Sequence, residues 1–263
     1  MPTELLDEVD MKSLEGDELS LEARLERALF HYRMAQEMTV RREVWATTLK
    51  RAALAPARPR TRAVYETSKR AMDILLSALA LVLLAPLFLA IAIAIKWQDG
   101  GPVFFSQSRL GRHGKSFRCW KFRSMTPNAD QQKAALLQFN DHPDARTFKM
   151  RNDPRITPVG RILRKYSLDE FPQFWNVLLG EMSLVGPRPA IADEVARYTS
   201  RDLKRLSVKP GLTCLWQVRG RGSMPFEQQI LLDLEYVAER SLLLDLKLLV
   251  ATVPAVMSCR GAY

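Results

Sequence analysis

Two adjacent carboxylates, Asp169 and Glu170, stand close to a proline in the stretch SLDEFPQFWNVLLGEMSLVGPRP, within a chain whose formal charge is +10. Ser167 and Glu170 have the spacing of a capping box, and Pro172 suits the start of a helix. The positive end of a helix dipole favours ionised carboxylates in the first turn. Because neighbouring side chains point about 100° apart on a helix, one acid can face a substrate while the other holds a metal. The same pattern also serves simply to complement a helix terminus.

Basic residues flank this acidic pair on both sides. They are Arg155, Arg161, Arg164 and Lys165 before it, and the Arg188 of Gly186-Pro187-Arg188-Pro189 after it. Two prolines predict a stiff loop around the Arg188 guanidinium, which suits phosphate oxygens because less ordering entropy is lost on binding. The whole chain has 39 Lys and Arg against 29 Asp and Glu. This balance favours an anionic partner: nucleic acid, an acidic membrane surface or a phosphorylated substrate.

Several other kinds of site are excluded by composition and spacing. Three cysteines and three histidines in 263 residues do not supply a disulfide framework or a histidine-rich metal centre. The stretch GRHGKS, residues 111–116, resembles the end of a phosphate-binding P-loop, but Arg109 occupies the position of the first required glycine. No histidine accompanies a serine or cysteine in a recognisable triad arrangement. Hydrolytic triads and P-loop nucleotide hydrolysis are therefore disfavoured.

The element that decides the class of protein is an apolar run from Ile74 to Ile95, which contains no charged residue. About 20 helical residues cross a bilayer, so this run is long enough to do so. Pro86 lies in its middle and predicts a bend, because proline removes a helical hydrogen bond and clashes with the preceding turn. The flanks of the run are similarly basic, and the positive-inside rule favours neither orientation. A re-entrant hairpin and a kinked single span both remain open.

The rest of the chain divides into further predicted elements. Residues 5–51 have helical spacing of apolar residues and are followed by a stiff proline-containing linker at residues 53–62. Residues 101–125 predict a β-hairpin, and residues 160–179 predict helix with a break near Pro172. Two more helices are expected at residues 226–239 and 242–257. The second of these is so apolar that it belongs either in the core or in the interface of a membrane.

At this point the residues resemble a known family, the bacterial sugar transferases, also called polyprenyl-phosphate sugar-phosphate transferases or monotopic phosphoglycosyl transferases. The resemblance covers about three quarters of the chain, from Lys69 onward, and the ending is similar to the exopolysaccharide branch. Its blocks occur in order as KRAMD, GGPVFFSQSRLGRHGKSF, KFRSM, DPRITPVGRILRKYSLDEFPQFWNVLLGEMSLVGPRP, KPGLT and LLLDLKLL. Two positions depart from the family pattern: Ala85, where some members have serine, and Cys214, where glycine is common.

The resemblance implies a mainly α fold with a small β component, containing a re-entrant membrane helix bent at Pro86, interface helices and a compact cytoplasmic catalytic domain. The expected domains are a soluble helical extension with its linker at residues 1–66, the re-entrant helix at 67–99 and the catalytic domain at 100–263. The implied location is the bacterial cytoplasmic (inner) membrane, with the catalytic domain on its cytoplasmic face.

The resemblance also implies a reaction: transfer of a sugar 1-phosphate, glucose or galactose, from a UDP-sugar to undecaprenyl phosphate with release of UMP. Asp169 is the expected nucleophile, forming an aspartyl phosphosugar, and Glu170 the expected Mg²⁺ ligand. The expected substrate-binding residues are Lys121, Arg164, Pro187, Arg188 and Asp233. The implied partners are the UDP-sugar, the polyprenyl phosphate lipid and the membrane, with a homo-oligomer as an option and no nucleic acid. The alternative from another class is a membrane-anchored basic scaffold that binds anionic lipid or nucleic acid.

Overall fold

The computed structural model of the protein describes residues 59–136, 150, 152–220 and 224–258. The helices expected in residues 5–51, most of the linker and the last five residues lie outside this part of the chain. The described helices are α1 Pro59–Leu83, α2 Ala85–Asp99, α3 Ala129–Leu136, α4 Pro158–Lys165, α5 Gln173–Leu179, α6 Ala192–Val195, α7 Leu215–Arg219, α8 Phe226–Glu239 and α9 Leu242–Met257. The described strands are β1 Phe104–Leu110, β2 Ser116–Phe122, β3 Ser183–Val185 and β4 Gly211–Thr213.

The strands form two small sheets, which confirms a mainly α fold with a small β component. Strands β1 and β2 pair in antiparallel fashion with Phe104 opposite Phe122, and β3 pairs with β4 in parallel. The hairpin predicted at residues 101–125 is therefore confirmed. Its connection, GRHGKS, folds into a short 3₁₀ turn in which His113 has a left-handed backbone with a φ of 58°. A turn joining two antiparallel strands is not the strand-to-helix loop of a P-loop.

The apolar run folds into two helices, α1 and α2, joined at Leu84 and bent by 58°. Pro86 lies in the first turn of α2, and the bend falls in the turn before it, where proline disturbs a helix. The bend predicted at Pro86 is confirmed. Helix α1 begins at Pro59, so the end of the proline-containing segment is helical rather than linker.

No single helix in the described residues has both the length and the apolar composition to cross a membrane. The bent pair meets those two criteria only when its two helices are taken together.

The second arm of the bent pair is fixed by an apolar core. Ile91 and Ile95 of α2 pack with Phe122 of β2 and Leu163 of α4, and each of the four is at most 7% exposed. Burying one such side chain stabilises a fold by roughly 1.5–3 kcal/mol. The ring of Phe88 adds an edge contact to Phe122, with 5.2 Å between the ring centroids. This core holds α2, the hairpin and α4 together at the place where α4 leads into the acidic pair.

The first arm is held by buried polar contacts rather than by an apolar core. Lys69 Nζ lies 2.8 Å from Asp245 Oδ2, and the Asp245 side chain is completely buried. Asp73 Oδ1 accepts hydrogen bonds from Ser183 Oγ and Leu184 N at 3.1 and 3.0 Å. The KRAMD and LLLDLKLL blocks, which are far apart in sequence, therefore meet through Lys69 and Asp245.

Helices α8 and α9 have the bounds that the sequence predicted. Asp245 and Leu248 of α9 are buried against the rest of the protein. The opposite face of α9 leaves large apolar side chains exposed: Leu243, Leu246, Val250, Val253 and Met257. Helix α9 therefore has one face packed in the core and another, apolar face that is exposed.

Candidate active site

The acidic pair lies in a 3₁₀ turn, Leu168–Glu170, between α4 and α5. Ser167 has a left-handed backbone with a φ of 56°, and its side chain makes no capping hydrogen bond. The predicted capping box is therefore wrong, because this backbone turn intervenes between Ser167 and the helix proper. Pro172 does mark the start of a helix, since α5 begins at the next residue.

The two carboxylates occupy different electrostatic environments. The side chain of Glu170 accepts a hydrogen bond from Lys121 Nζ at 2.6 Å. Burial alone would raise the pKa of Glu170, but the positive charges of Lys121, Arg188 and Arg109 outweigh it and lower that pKa to about 2. Glu170 is therefore an anion at any physiological pH.

Asp169 shows the opposite behaviour. It is 8% exposed, and burial raises its pKa, with a further increase from the negative charge of Glu170. Lys121 and Arg164 oppose this increase without cancelling it. The expectation that helix-start geometry would favour the charged form of both acids is wrong for Asp169. A carboxylate with a raised pKa is a stronger base and nucleophile once it is ionised, so the pair divides into a nucleophile candidate and a permanent anion.

Both acids border a cleft of about 720 Å³. Its polar part contains five predicted site residues from four places in the sequence: Lys121, Arg164, Asp169, Glu170 and Arg188. Another part of the lining is apolar: Met125, Phe171, Phe174, Leu249, Val253 and Val256. One cleft can thus accept a charged group beside a hydrocarbon group.

The loop that carries Arg188 is held firmly by backbone contacts. Pro187 is buried, and its carbonyl accepts a hydrogen bond from Gly211 N at 2.8 Å. The carbonyl of Pro189 accepts another from Arg109 at 3.0 Å. The Arg188 side chain is exposed, and its guanidinium carbon lies 5.9 Å from the centroid of the Trp216 ring. Both prolines thus anchor the loop through their carbonyls, Pro187 does not line the cleft, and the stiffness of the loop stays a prediction.

The basic residues before the acidic pair do not all reach the cleft. Arg164 lines it and donates from Nε to Ser124 Oγ at 3.0 Å. Arg155 also lines it, but its guanidinium is engaged by the buried Asp153 at 2.6 Å. Arg161 and Lys165 are exposed and are absent from the described lining of the cleft. The positions of these four residues in the sequence did not indicate which of them line the cleft.

Asp233 does not line the cleft among the described residues. It is completely buried on α8, where its carboxylate pairs with Arg205. Burial raises the pKa of Asp233 to about 6 even though Arg205 opposes the shift. Asp233 is therefore placed to hold the side chain of Arg205 in position. Arg205 lines the cleft, and the sequence did not predict it as a site residue. Arg205 adjoins Lys204 in the sequence, and nothing in that stretch distinguishes the buried cation from the exposed one.

The donors near the cleft limit the kind of metal site that fits. Among the described residues, no group of three or more His, Cys, Asp or Glu side chains is placed to hold a metal. Mg²⁺ is commonly held by one or two carboxylates together with water and substrate phosphates. The permanently charged Glu170 fits this pattern, in which the substrate completes the coordination.

Comparison with known proteins identifies the family of this chain. The family model of the bacterial sugar transferases matches residues 64–259. The exopolysaccharide production protein ExoY of Rhizobium meliloti is 44% identical over 201 residues, covering 74% of this chain and 88% of that protein. The undecaprenyl-phosphate galactose phosphotransferase of Salmonella typhimurium is 45% identical, covering 74% of this chain and 41% of that protein. The UDP-glucose:undecaprenyl-phosphate glucose-1-phosphate transferase of Klebsiella pneumoniae is 43% identical, with the same two coverages.

The family model and the names of these relatives identify the chain as an enzyme of the phosphoglycosyl transferase class. The chain belongs to the bacterial sugar transferase family, whose relatives include an exopolysaccharide production protein. The resemblance read from the sequence is thereby confirmed, and the scaffold alternative is set aside.

Proposed function

We propose that the protein transfers a hexose 1-phosphate from a UDP-hexose to undecaprenyl phosphate and releases UMP, as the priming step of exopolysaccharide synthesis. The observation that carries the proposal is the cleft that Asp169 and Glu170 line together with Lys121, Arg164 and Arg188. The names of the Salmonella and Klebsiella relatives support a galactose or glucose phosphate as the transferred group.

The proposed mechanism has two displacements at one phosphorus. Ionised Asp169 attacks the sugar-bearing phosphorus, a P–O bond to the carboxylate forms, and UMP leaves with the electron pair of the broken bond. An oxygen of the lipid phosphate then attacks the same phosphorus and releases the Asp169 carboxylate. A covalent intermediate lets a soluble donor and a lipid acceptor use one site in turn.

Each surrounding side chain has a separate task in this scheme. Arg164 and Arg188 offset the negative charge of the phosphates, which increases where two anionic substrates meet. Lys121 orients Glu170 through their 2.6 Å contact. Glu170 is the proposed ligand of Mg²⁺, which would neutralise diphosphate charge when bound.

We further propose that α1 and α2 form a re-entrant hairpin in the cytoplasmic leaflet of the inner membrane. The first half of α1 is tied to α9 and β3, and the second half of α2 packs on β2 and α4. Both ends of the bent pair are therefore attached to the same catalytic region. Between those ends, apolar side chains are largely exposed: Leu79, Val82, Leu83 and Leu89. This arrangement favours a return to the same face over a span.

The reaction is tested by measuring UMP release from a panel of UDP-hexoses with polyprenyl phosphate and Mg²⁺. Arg188→Gln should lower kcat/KM by about 100-fold, because one preorganised positive charge is removed from the phosphates. Arg161→Gln is the matched control, since Arg161 is exposed and outside the described lining of the cleft, and should stay within about twofold of the parent protein. No UMP from any UDP-hexose, or equal activity of the two variants, would contradict the proposal.

A further inference from the structure

A second group of basic side chains lies outside the cleft, where α1 meets the segment that leads into β4. A pocket of about 30 Å³ is present there. The charged residues that line it are four basic and two acidic ones: Lys69, Arg70, Lys209, Arg240, Glu66 and Asp73. None of the six lines the cleft described above. The pocket therefore carries an excess of positive charge that the proposed reaction does not use.

Most of the charges in this pocket have partners, but one does not. Lys69 pairs with Asp245 at 2.8 Å, and Arg240 pairs with Glu66 at 3.6 Å. Lys209 is half-buried, and within the described part of the chain its amine has no hydrogen bond and no carboxylate within ion-pair distance. An unpaired amine of this kind is available to an added anion.

Arg70 provides a second cation beside Lys209. Its guanidinium donates to the carbonyls of Val177 and Leu178 at 2.7 Å each, at the end of α5, and makes no ion pair within the described residues. A Cβ placed on Gly180 would lie 3.2 Å from Arg70 Nη2 and 3.4 Å from Lys209 Nζ. The two cationic groups therefore lie close to the same glycine. One phosphate group can contact both of them.

Arg112 adds a third positive charge nearby. Its Nε is buried without a hydrogen-bond partner, and its charge acts on Lys209. Burial lowers the pKa of Lys209, and the charges of Arg70 and Arg112 lower it further, while the carboxylates of Asp73 and Glu66 oppose them. The three positive charges repel one another, and a single bound anion would offset this repulsion.

We propose that Lys209 and Arg70, assisted by Arg112, form a binding site for a phosphate group. The pocket, with a volume of about 30 Å³, is too small for a nucleotide. Two sources share this chemistry: the headgroup of an anionic phospholipid and soluble inorganic phosphate. Arg70 lies four residues before Ile74, about 6 Å along the helix from the apolar run, so a headgroup would reach it in the membrane arrangement proposed above.

The backbone segment that carries Lys209 packs directly against the loop that carries Arg188. The carbonyl of Lys209 would lie 2.5 Å from a Cβ on Gly186, so the two backbones are in close contact. Two residues further on, Gly211 N donates to the carbonyl of Pro187 at 2.8 Å. A phosphate bound by Lys209 would therefore brace the segment that supports Arg188.

The test uses the full-length protein in detergent and has two arms. Native mass spectrometry measures the binding of phosphatidylglycerol and phosphatidylcholine, and thermal unfolding measures stabilisation by inorganic phosphate. The variants are Lys209→Gln, its conservative counterpart Lys209→Arg, and Lys204→Gln as a matched control, since Lys204 is an exposed lysine of the preceding segment. Removing one contact should weaken phosphatidylglycerol binding by about fivefold.

The site is supported if Lys209→Gln loses binding in either arm while Lys209→Arg and Lys204→Gln stay within about twofold of the parent protein. Loss in the lipid arm identifies a phospholipid, and loss in the phosphate arm alone identifies a soluble phosphate. If Lys209→Gln and Lys204→Gln behave alike in both arms, the site does not exist. Neither arm needs turnover, so a failure of the transferase proposal would appear separately, as absence of UMP release by the parent protein.

Discussion

Lys121 is the charged group with the largest effect on both carboxylates in the cleft. It is hydrogen-bonded to Glu170 at 2.6 Å, and its charge also lowers the pKa of Asp169, against burial. Its position follows from the hairpin, because the antiparallel register places Lys121 opposite Phe105 near the end of β2. The raised pKa of Asp169 means that its nucleophilic form is lost as the pH falls. The acidic limb of the pH profile should therefore report on Asp169.

Lys121→Gln should shift that acidic limb to higher pH. Without the Lys121 charge, burial and Glu170 raise the pKa of Asp169 further, so a larger fraction of Asp169 is protonated at a given pH. The measurement is the pH dependence of kcat for UMP release. Lys115→Gln, an exposed position in the hairpin connection, is the control and should leave the limb in place. An unchanged limb in Lys121→Gln would show that Lys121 does not act on the nucleophile.

For individual residues, the sequence predicted which side chains lie together but not their protonation states or their partners. Lys121, Arg164 and Arg188 do line one cleft with the acidic pair, and their roles stay predictions. Asp233 could not be placed correctly, because its partner Arg205 is 28 residues away and the contact depends on how α8 packs. The capping box failed because the backbone of Ser167 is left-handed, which its spacing from Glu170 does not reveal.

Helix α1 is anchored to the catalytic region by a buried polar network centred on Asp245 of α9. Lys69, Tyr65 and Tyr236 all donate to its carboxylate, at distances of 2.8 to 3.0 Å. Tyr236 also lies 3.0 Å from the carbonyl of Val185 in β3. One carboxylate therefore joins α1, α8, α9 and the β3 strand, which ends just before the Arg188 loop.

Asp245→Ala should lower the free energy of unfolding by about 3–5 kcal/mol, because the buried Lys69 would lose its ion-pair partner and two hydroxyls would lose a charged acceptor. Denaturant unfolding of the purified protein in detergent measures this change. Lys247→Ala, at an exposed position on the same helix, should cost less than about 0.5 kcal/mol. Equal stability of the two variants would show that the network does not hold α1 in place.

The bounds of helices and strands were predicted well where the apolar periodicity was strong. Contacts between elements, which depend on tertiary packing, were not predicted. The bounds of α8 and α9 and the hairpin follow from local apolar pattern and turn residues. The contact between Lys69 and Asp245 spans 176 residues, and no local pattern contains it. Both residues interrupt otherwise apolar or amphipathic segments, which is the signal that a buried polar partner exists.

At the scale of the whole molecule, the two arms of the bent pair define a topology that can be tested. Both arms attach to the same region, and the apolar tip between them is exposed. The sequence left re-entry and a span equally open, because composition and flanking charge are the same for both. The attachment of both arms depends on long-range contacts and became visible only in the structure.

Single cysteines at Arg62 and Lys115, in a background with Cys259 replaced by serine, should be labelled from the same face of sealed inner-membrane vesicles. Both positions are exposed, Arg62 in the first turn of α1 and Lys115 after the end of α2, and Cys119 and Cys214 are buried. A membrane-impermeant maleimide applied to inside-out and right-side-out vesicles makes the comparison. Labelling of the two positions from opposite faces would replace the re-entrant hairpin by a span.

The most direct test of the account is intact-protein mass spectrometry after incubation with Mg²⁺ and the preferred UDP-hexose, without lipid acceptor. The parent protein should gain the mass of one hexose phosphate, located on Asp169, and lose it when polyprenyl phosphate is added. Asp169→Asn should remain folded, because a buried charge with a raised pKa is removed, and should gain no mass. An adduct on Asp169→Asn, or UMP release by that variant at the parent rate, would contradict the assignment of Asp169 as nucleophile.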